Sequence, residues 1–401
     1  MTSISASPTK AAGISAGMTF VMAAACGLIA ANLYYAQPLA GPIADAIGLP
    51  VHATGLIVTL TQIGYGLGLL FLVPLGDLVE NRRLILTMIG VVTLSLIAAG
   101  LSSTPGPFLA ASLAIGLGSV AVQMIVPFAA NLAPDYARGR VVGNVMSGLM
   151  IGIMMARPVA SFLARFTSWH AVFFLSAAVM LALAAVLATR LPERRPTTQL
   201  GYLGLLRSMG RQLATQKVLQ RRAAYQACQF AAFSLFWTVT PLYLAGPAFN
   251  LSQAGIALFA LAGVAGAIAS PMAGRLADRG LGKPATALGI ASVAAGYLVT
   301  HIAPEGSTLA LALLTIAAIL VDFGVSMTLV TGQRAIYELG AELRSRLNGL
   351  FMAMFFTGGA IGSAVGAWAY AEGGWPLASM IGLALPVIAF LYFLTEKRVT
   401  A

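Results

Sequence analysis

Long apolar runs alternate with short polar breaks along the whole chain. The runs fall at about 17–38, 53–75, 84–102, 107–130, 141–164 and 169–189, then at 223–245, 254–273, 285–303, 308–331, 347–371 and 375–394. A polar break at 190–222 separates six from six. About twenty helical residues cross the ~30 Å of hydrocarbon in a bilayer. Backbone in lipid must satisfy its own hydrogen bonds, so runs of this length are helices. The pattern predicts an all-α integral membrane protein with twelve transmembrane helices in two six-helix bundles. The expected parts are an N-terminal bundle (1–190), a basic cytoplasmic linker (191–222) and a C-terminal bundle (223–401). The first run follows a short polar stretch with one Lys and is read as a retained helix, not a cleaved signal.

Composition agrees. Hydrophobic residues make up 59% and charged ones 9% of the 401 residues, whereas soluble chains carry about 25% charged residues. A soluble enzyme, a disordered chain and a disulfide scaffold are excluded. The net charge of +11 sits in short inter-run segments, not on a continuous face, which argues against a nucleic-acid partner. With the N-terminus placed in the cytoplasm, every Lys and Arg except Arg157 and Arg165 falls in a cytoplasmic segment. The positive-inside rule therefore puts both termini in the cytoplasm. Cys26 and Cys228 lie within apolar runs and are read as packing residues. His52, His170 and His301 are scattered, so no metal site is expected. No phosphate-cradling loop with its Lys is present, so the energy source is expected to be an ion gradient, or none, with no cofactor.

The two halves resemble each other. At an offset of 206, Gly118 matches Gly324, Arg138 matches Arg344, Arg140 matches Arg346, Gly152 matches Gly358 and Trp169 matches Trp375. The segment G-D-L-V-E-N-R-R (Gly76–Arg83) is echoed by G-R-L-A-D-R-G-L-G-K (Gly274–Lys283). Two similar bundles joined by a basic loop can rock about a central site.

On these residues the chain resembles a major facilitator superfamily transporter over nearly its whole length. The Gly274–Lys283 stretch is close to that family's signature between the eighth and ninth helices. Within the superfamily, N-L-Y-Y-A-Q-P-L (32–39) and P-L-G-D-L-V-E-N-R-R (74–83) look like bacterial drug:proton antiporter-type members. The resemblance implies a pseudo-symmetric twelve-helix fold in the bacterial inner membrane, a small-molecule substrate, and a cavity lined by helices 1, 4, 7 and 10. A monomer in the lipid bilayer is expected. The sequence departs from the antiporter pattern in the fifth run, where Arg157 and Ala160-Ser161 stand in place of glycines around Pro158.

Three sets of candidate residues follow. Gly76, Asp77, Glu80, Arg82, Arg83, Gly274, Arg275, Asp278, Arg279 and Lys283 form a candidate cytoplasmic gate. There, carboxylates would accept from helix-start N–H groups or pair with Arg, and the arginines would pair across to the other bundle or bind headgroups. Arg138 and Arg344 would pair with Asp135 and Glu342. The linker stretch Leu203–Leu219 has helical spacing, and reads either as an amphipathic helix on the inner leaflet or as a solvated linker. The second set is the pair of intramembrane charges. Asp322 lies 12 residues, roughly 18 Å, from Arg334, and Arg157 lies 17 residues, roughly 25 Å, from Arg140. A charge at such depth needs a partner, a wet cavity or the other charge. Asp322, with Arg157, is the candidate proton-coupling site, and a static ion pair between the two is the alternative. The third set lines the expected cavity: Asn32, Tyr34, Tyr35, Gln37, Gln123, Gln226, Gln229, Trp237, Thr238 and Thr328. Pro38, Pro127 and Pro241 would kink these helices.

The functional expectation is a proton-coupled exporter of small organic or amphipathic solutes working by alternating access. The alternatives are an uptake permease or uniporter for a small metabolite and, from another class, a membrane-embedded enzyme. The last lacks any nucleophile–base pair or metal cluster in the sequence.

Overall fold

The computed structural model describes residues 15–134, 137–196, 201–263, 269–340 and 343–396. Lys10, Asp135, Glu342, Lys397 and Arg398 lie outside them, as does the side chain of Asp278. The described chain is helical: α1 (Ala16–Ala31), α2 (Ala40–Ile47), α3 (Leu56–Phe71), α4 (Asn81–Leu101), α5 (Pro105–Ser119), α6 (Ala121–Leu132), α7 (Arg138–Phe166), α8 (Trp169–Arg190), α9 (Tyr202–Thr215), α10 (Lys217–Ala245), α11 (Gln253–Ala260), α12 (Ala269–Asp278), α13 (Gly282–Val299), α14 (Thr308–Tyr337) and α15 (Arg344–Leu394). Among the described residues, eight stretches are long and apolar enough to cross a membrane. One of them, Arg346–Leu394, spans 49 residues and holds the last two runs. Gly373 and Gly374 break it, the latter at φ 62°. That left-handed angle suits glycine, which carries no Cβ.

Local chemistry explains where these helices start. Ser15, Ser168, Ser252 and Ser307 cap α1, α8, α11 and α14, each accepting from a backbone N–H of the first turn. Glu80 does the same for α4 with both carboxylate oxygens. The first run is not one helix. It stops at Ala31, passes through turns over 32–39 and resumes as α2, so Pro38 lies in the break and kinks no helix. Pro127, Pro158 and Pro241 do lie within helices. The fourth run is likewise divided at Val120.

Glycine sets the packing between helices. A Cβ on Gly152 would sit 2.1 Å from the Gly27 carbonyl oxygen of α1, and one on Gly358 would sit 2.2 Å from the Ala227 carbonyl oxygen of α10. Gly118 presses on Met88 and Val92 of α4, and Gly324 on Gly289 and Val293 of α13. The glycine pairs matched in the sequence repeat thus make equivalent contacts. Small residues let backbones approach where no hydrophobic drive exists between lipid-soaked helices. The two halves meet along α3 and α15. There Thr59 and Ser363 hydroxyls are 2.7 Å apart, and the Tyr65 and Phe356 rings lie 4.4 Å apart.

Candidate functional site

The centre of the molecule is built from the break in the first run, α7, α10 and α14. Arg157 of α7 is 3% exposed and Asp322 of α14 is 8% exposed. Arg157 donates from Nε to Gln37 Oε1 at 2.7 Å. Its guanidinium lies 5.0 Å from the Tyr34 and Phe233 ring centroids and 4.5 Å from that of Trp237. Turns over 32–39 carry both Tyr34 and Gln37, which meet the same cation.

Trp237 joins the two charges. While its ring carries Arg157, its indole Nε1 donates to Asp322 Oδ2 at 2.8 Å. A Cβ on Gly263 would lie 3.0 Å from Trp237 Cζ2 and 3.3 Å from Asp322 Oδ1, so backbone closes the carboxylate from the other side. Among the described residues no ion pair joins Arg157 to Asp322 or reaches either. Arg157 and Asp322 instead share a contact with one aromatic side chain, Trp237. A cation over an aromatic face is held by the ring quadrupole, about 2 kcal/mol when desolvated.

Buried polar atoms without a protein partner include Arg157 Nη2 and Gln37 Nε2 at this centre and, along α10, both amide atoms of Gln229, Gln226 Oε1 and Thr238 Oγ1. Gln226, Gln229, Phe233 and Trp237 recur at helical spacing and form one face of α10. Each such atom costs about 1–3 kcal/mol unless water or a polar solute meets it. The face therefore has the chemistry of a solute site: rings for an apolar body, and free donors and acceptors to orient it.

The remaining cavity candidates do other things. Asn32 is used within the bundle: its amide donates to Ile29 O at 3.1 Å, and its Oδ1 accepts from Ser176 at 2.5 Å. Gln123 donates to the Tyr65 hydroxyl at 3.0 Å. Thr328 bonds back to the Gly324 and Val325 carbonyls of its own helix. Tyr35 is half-buried and is not among the rings over Arg157. Phe233 was missed by sequence reasoning. Its spacing of four from Trp237 and from Gln229 was the available signal. A cavity of about 880 Å³ lies between α1 and α7, bordered by Phe20, Gly27, Asn144 and Gly148, and touches neither Arg157 nor Asp322.

At the Arg-rich end the candidate gate divides. Glu80 accepts from the backbone N–H groups of Arg82, Arg83 and Arg194. Burial pushes its carboxyl up, but these three bonds together hold it below the usual glutamate range. Arg82 does not cross to the other bundle: its Nη2 donates to the Ala188 carbonyl of α8. Gly76 packs near Asn81, whose amide donates to the Gly76 carbonyl at 2.6 Å. Among the described residues nothing lies within 4 Å of a Cβ on Gly274, whereas Gly280 takes a left-handed φ of 76° in the turn after α12. Arg138 and Arg344 donate to the Ala130 and Tyr337 carbonyls. Glu396, which the sequence did not single out, gathers Arg222 at 3.1 Å and Lys283 at 3.6 Å. Arg275 and Arg279 are not part of that cluster. The linker helix α9 is shorter than the amphipathic stretch. It buries Leu205 and Met209 against the protein beside Asp77 and Arg346, with Arg346 donating to Ser208 at 3.0 Å.

The sequence profile of the Major Facilitator Superfamily matches residues 16–338 and 223–401. The chain belongs to the Major Facilitator Superfamily. It is 38% identical over 378 residues to "Uncharacterized transporter YgaY" of Escherichia coli O157:H7, covering 94% of this chain and 95% of the relative. It is 32% identical over 371 residues to "Probable transporter SCO4007" of Streptomyces coelicolor, covering 90% and 84%. Among solved structures it resembles the nucleoside transporter NupG at TM-score 0.73 and 14% identity, covering 94% of this chain and all of that one. It also resembles a bacterial homologue of the human lysosomal transporter Spinster in an inward-facing, unoccupied conformation, at TM-score 0.70 and 14% identity. Identities this low bear on the fold alone. This Major Facilitator chain is thus a membrane transporter with the expected all-α fold.

Proposed function

We propose that the protein is a proton-coupled secondary transporter of small organic, amphipathic solutes, working by alternating access, with Asp322 as the proton site. One observation carries this. Asp322 is a buried carboxyl deep in its span, held by a neutral indole N–H, with no cation in direct contact among the described residues. A carboxyl so held can lose and regain a proton without breaking an ion pair. Gly263, just after α11, packs against the same carboxyl. The orphaned amides of α10 and the rings around Arg157 supply the solute side of the cycle.

The test uses protein in proteoliposomes and a mixed set of labelled organic acids, amines and neutral aromatics. An imposed proton gradient should accumulate at least one solute in the wild type. Asp322→Asn should abolish accumulation while leaving downhill exchange. Undiminished gradient-driven accumulation in Asp322→Asn would sink the assignment.

A further inference from the structure

We propose that the central site takes a monoanionic solute, a carboxylate on a flat apolar body, and that anion and proton bind together. The proposal rests on the reading of Asp322 as the proton site and adds the charge of the solute and the sign of coupling.

The argument starts from Arg157. A cation buried in a span normally has an anion against it. Among the described residues Arg157 has none: its partners are three rings and one amide oxygen. That amide oxygen orients Gln37 so that Nε2 of Gln37 and Nη2 of Arg157 are both donors without acceptors. Two free donors beside one buried positive charge match the two oxygens of a carboxylate, and charge-assisted bonds of this kind are the strong ones. The walls formed by Tyr34, Phe233 and Trp237 suit a flat apolar body. An organic cation would meet Arg157 head-on, with Asp322 shielded behind Trp237 and Gly263. Solute entry requires the halves to part, because the centre is closed by side chains here.

The coupling follows from placement. The charged and titratable groups that act on Asp322 are Arg157 from α7 and Tyr34 from the break after α1; α10 contributes the neutral Trp237, and the segment after α11 contributes Gly263 backbone. An anion seated on Arg157 cancels the one positive charge that faces the carboxylate. Anion and proton then favour each other's binding, and the effect is reciprocal by linkage. This gives movement of anion and proton in the same direction. It parts from the exchange that the antiporter resemblance implies.

The experiment uses the full-length protein in detergent, with benzoate, phenylacetate and indole-3-acetate as anionic probes, and benzamide and benzylamine as neutral and cationic controls. Binding and proton exchange are read by calorimetry in buffers of different ionisation enthalpy. At least one carboxylate should bind with proton uptake, and the controls should not bind. Arg157→Gln should weaken the carboxylate at least about tenfold. Because that variant could unfold, Gln37→Glu provides a second arm: it places a carboxylate on Arg157 with almost no change of shape, and should abolish probe binding in a folded protein. No carboxylate binding at millimolar concentration in the wild type, proton release on binding, or full binding in Gln37→Glu would each overturn the proposal. Asp322→Asn should bind the carboxylate without proton uptake. Uptake that persists in that variant overturns the Asp322 reading instead, leaving the anion site judged on Arg157 and Gln37 alone.

Discussion

The two intramembrane charges sit in one half each, and their repeat partners in the other half do something different. At the offset of 206, the counterpart of Asp322 is Gly116 and that of Arg157 is Ser363. Gly116 lies where a Cβ would be 2.0 Å from the Thr61 carbonyl oxygen, so α5 and α3 touch backbone to backbone. Ser363 spends its hydroxyl on Thr59 at the junction of the halves. Where the repeat is kept, as at Gly118 and Gly324, it packs helices. Where it is broken, it places chemistry. The same contrast holds for α10, one helix over Lys217–Ala245, and its counterpart α1, which stops at Ala31, with Tyr34 and Gln37 of the following turns meeting Arg157.

If that contrast is right, equalising the halves should be costly in a graded way. Gly116→Asp, which copies Asp322 into the first half, should have the largest effect. The side chain has no room, overpacking of this kind costs about 1–3 kcal/mol before any buried charge is counted, and the variant should fail to yield folded protein by size-exclusion and thermal melting. Trp237→Phe comes next. It keeps a ring for Arg157 but leaves Asp322 without its donor, a loss of roughly 1.5–3 kcal/mol for a bond to a charged group. The expected result is a folded protein with altered proton dependence of transport, whereas wild-type proton dependence would show that the shared contact is inert. Glu80→Ala should cost about 1 kcal/mol through loss of the α4 cap. Glu80 is held below the ordinary glutamate range, so its contribution is complete above that range and fades as pH falls through the lowered value. The stability gap between wild type and Glu80→Ala should therefore close on acidification, as followed by melting against pH. Ser363→Ala should be the mildest, about 0.5–1.5 kcal/mol, with transport retained.

The same residues show how far the linear chain could be read. Twelve apolar runs, the glycine matches and the loop motifs were legible because hydrophobic length and small-residue spacing are local properties. That Asp322 and Arg157 lie within long apolar stretches was also legible, since the runs around them can be read directly. What joins them was not. Trp237 stands 80 positions from Arg157 and 85 from Asp322 in the chain, and no spacing rule links residues on three separate helices. Asn32 looked as good a cavity residue as Gln37, but turns after Ala31 send Asn32 to Ser176 and Gln37 to Arg157. Glu396 drew no notice as a lone carboxylate near the end of the chain, yet it gathers Arg222 of α10 and Lys283 at the start of α13.

Length, polarity and repetition thus determined by themselves that this chain forms a helical membrane protein of two related halves, because burial in lipid dictates helix and small residues dictate contact. Which polar groups share a cation, which remain without partners, and that an indole stands between the two buried charges were decided only by the packed helices. Those relations depend on how α7, α10 and α14 cross, and crossing geometry comes from side chains distant in sequence meeting in space.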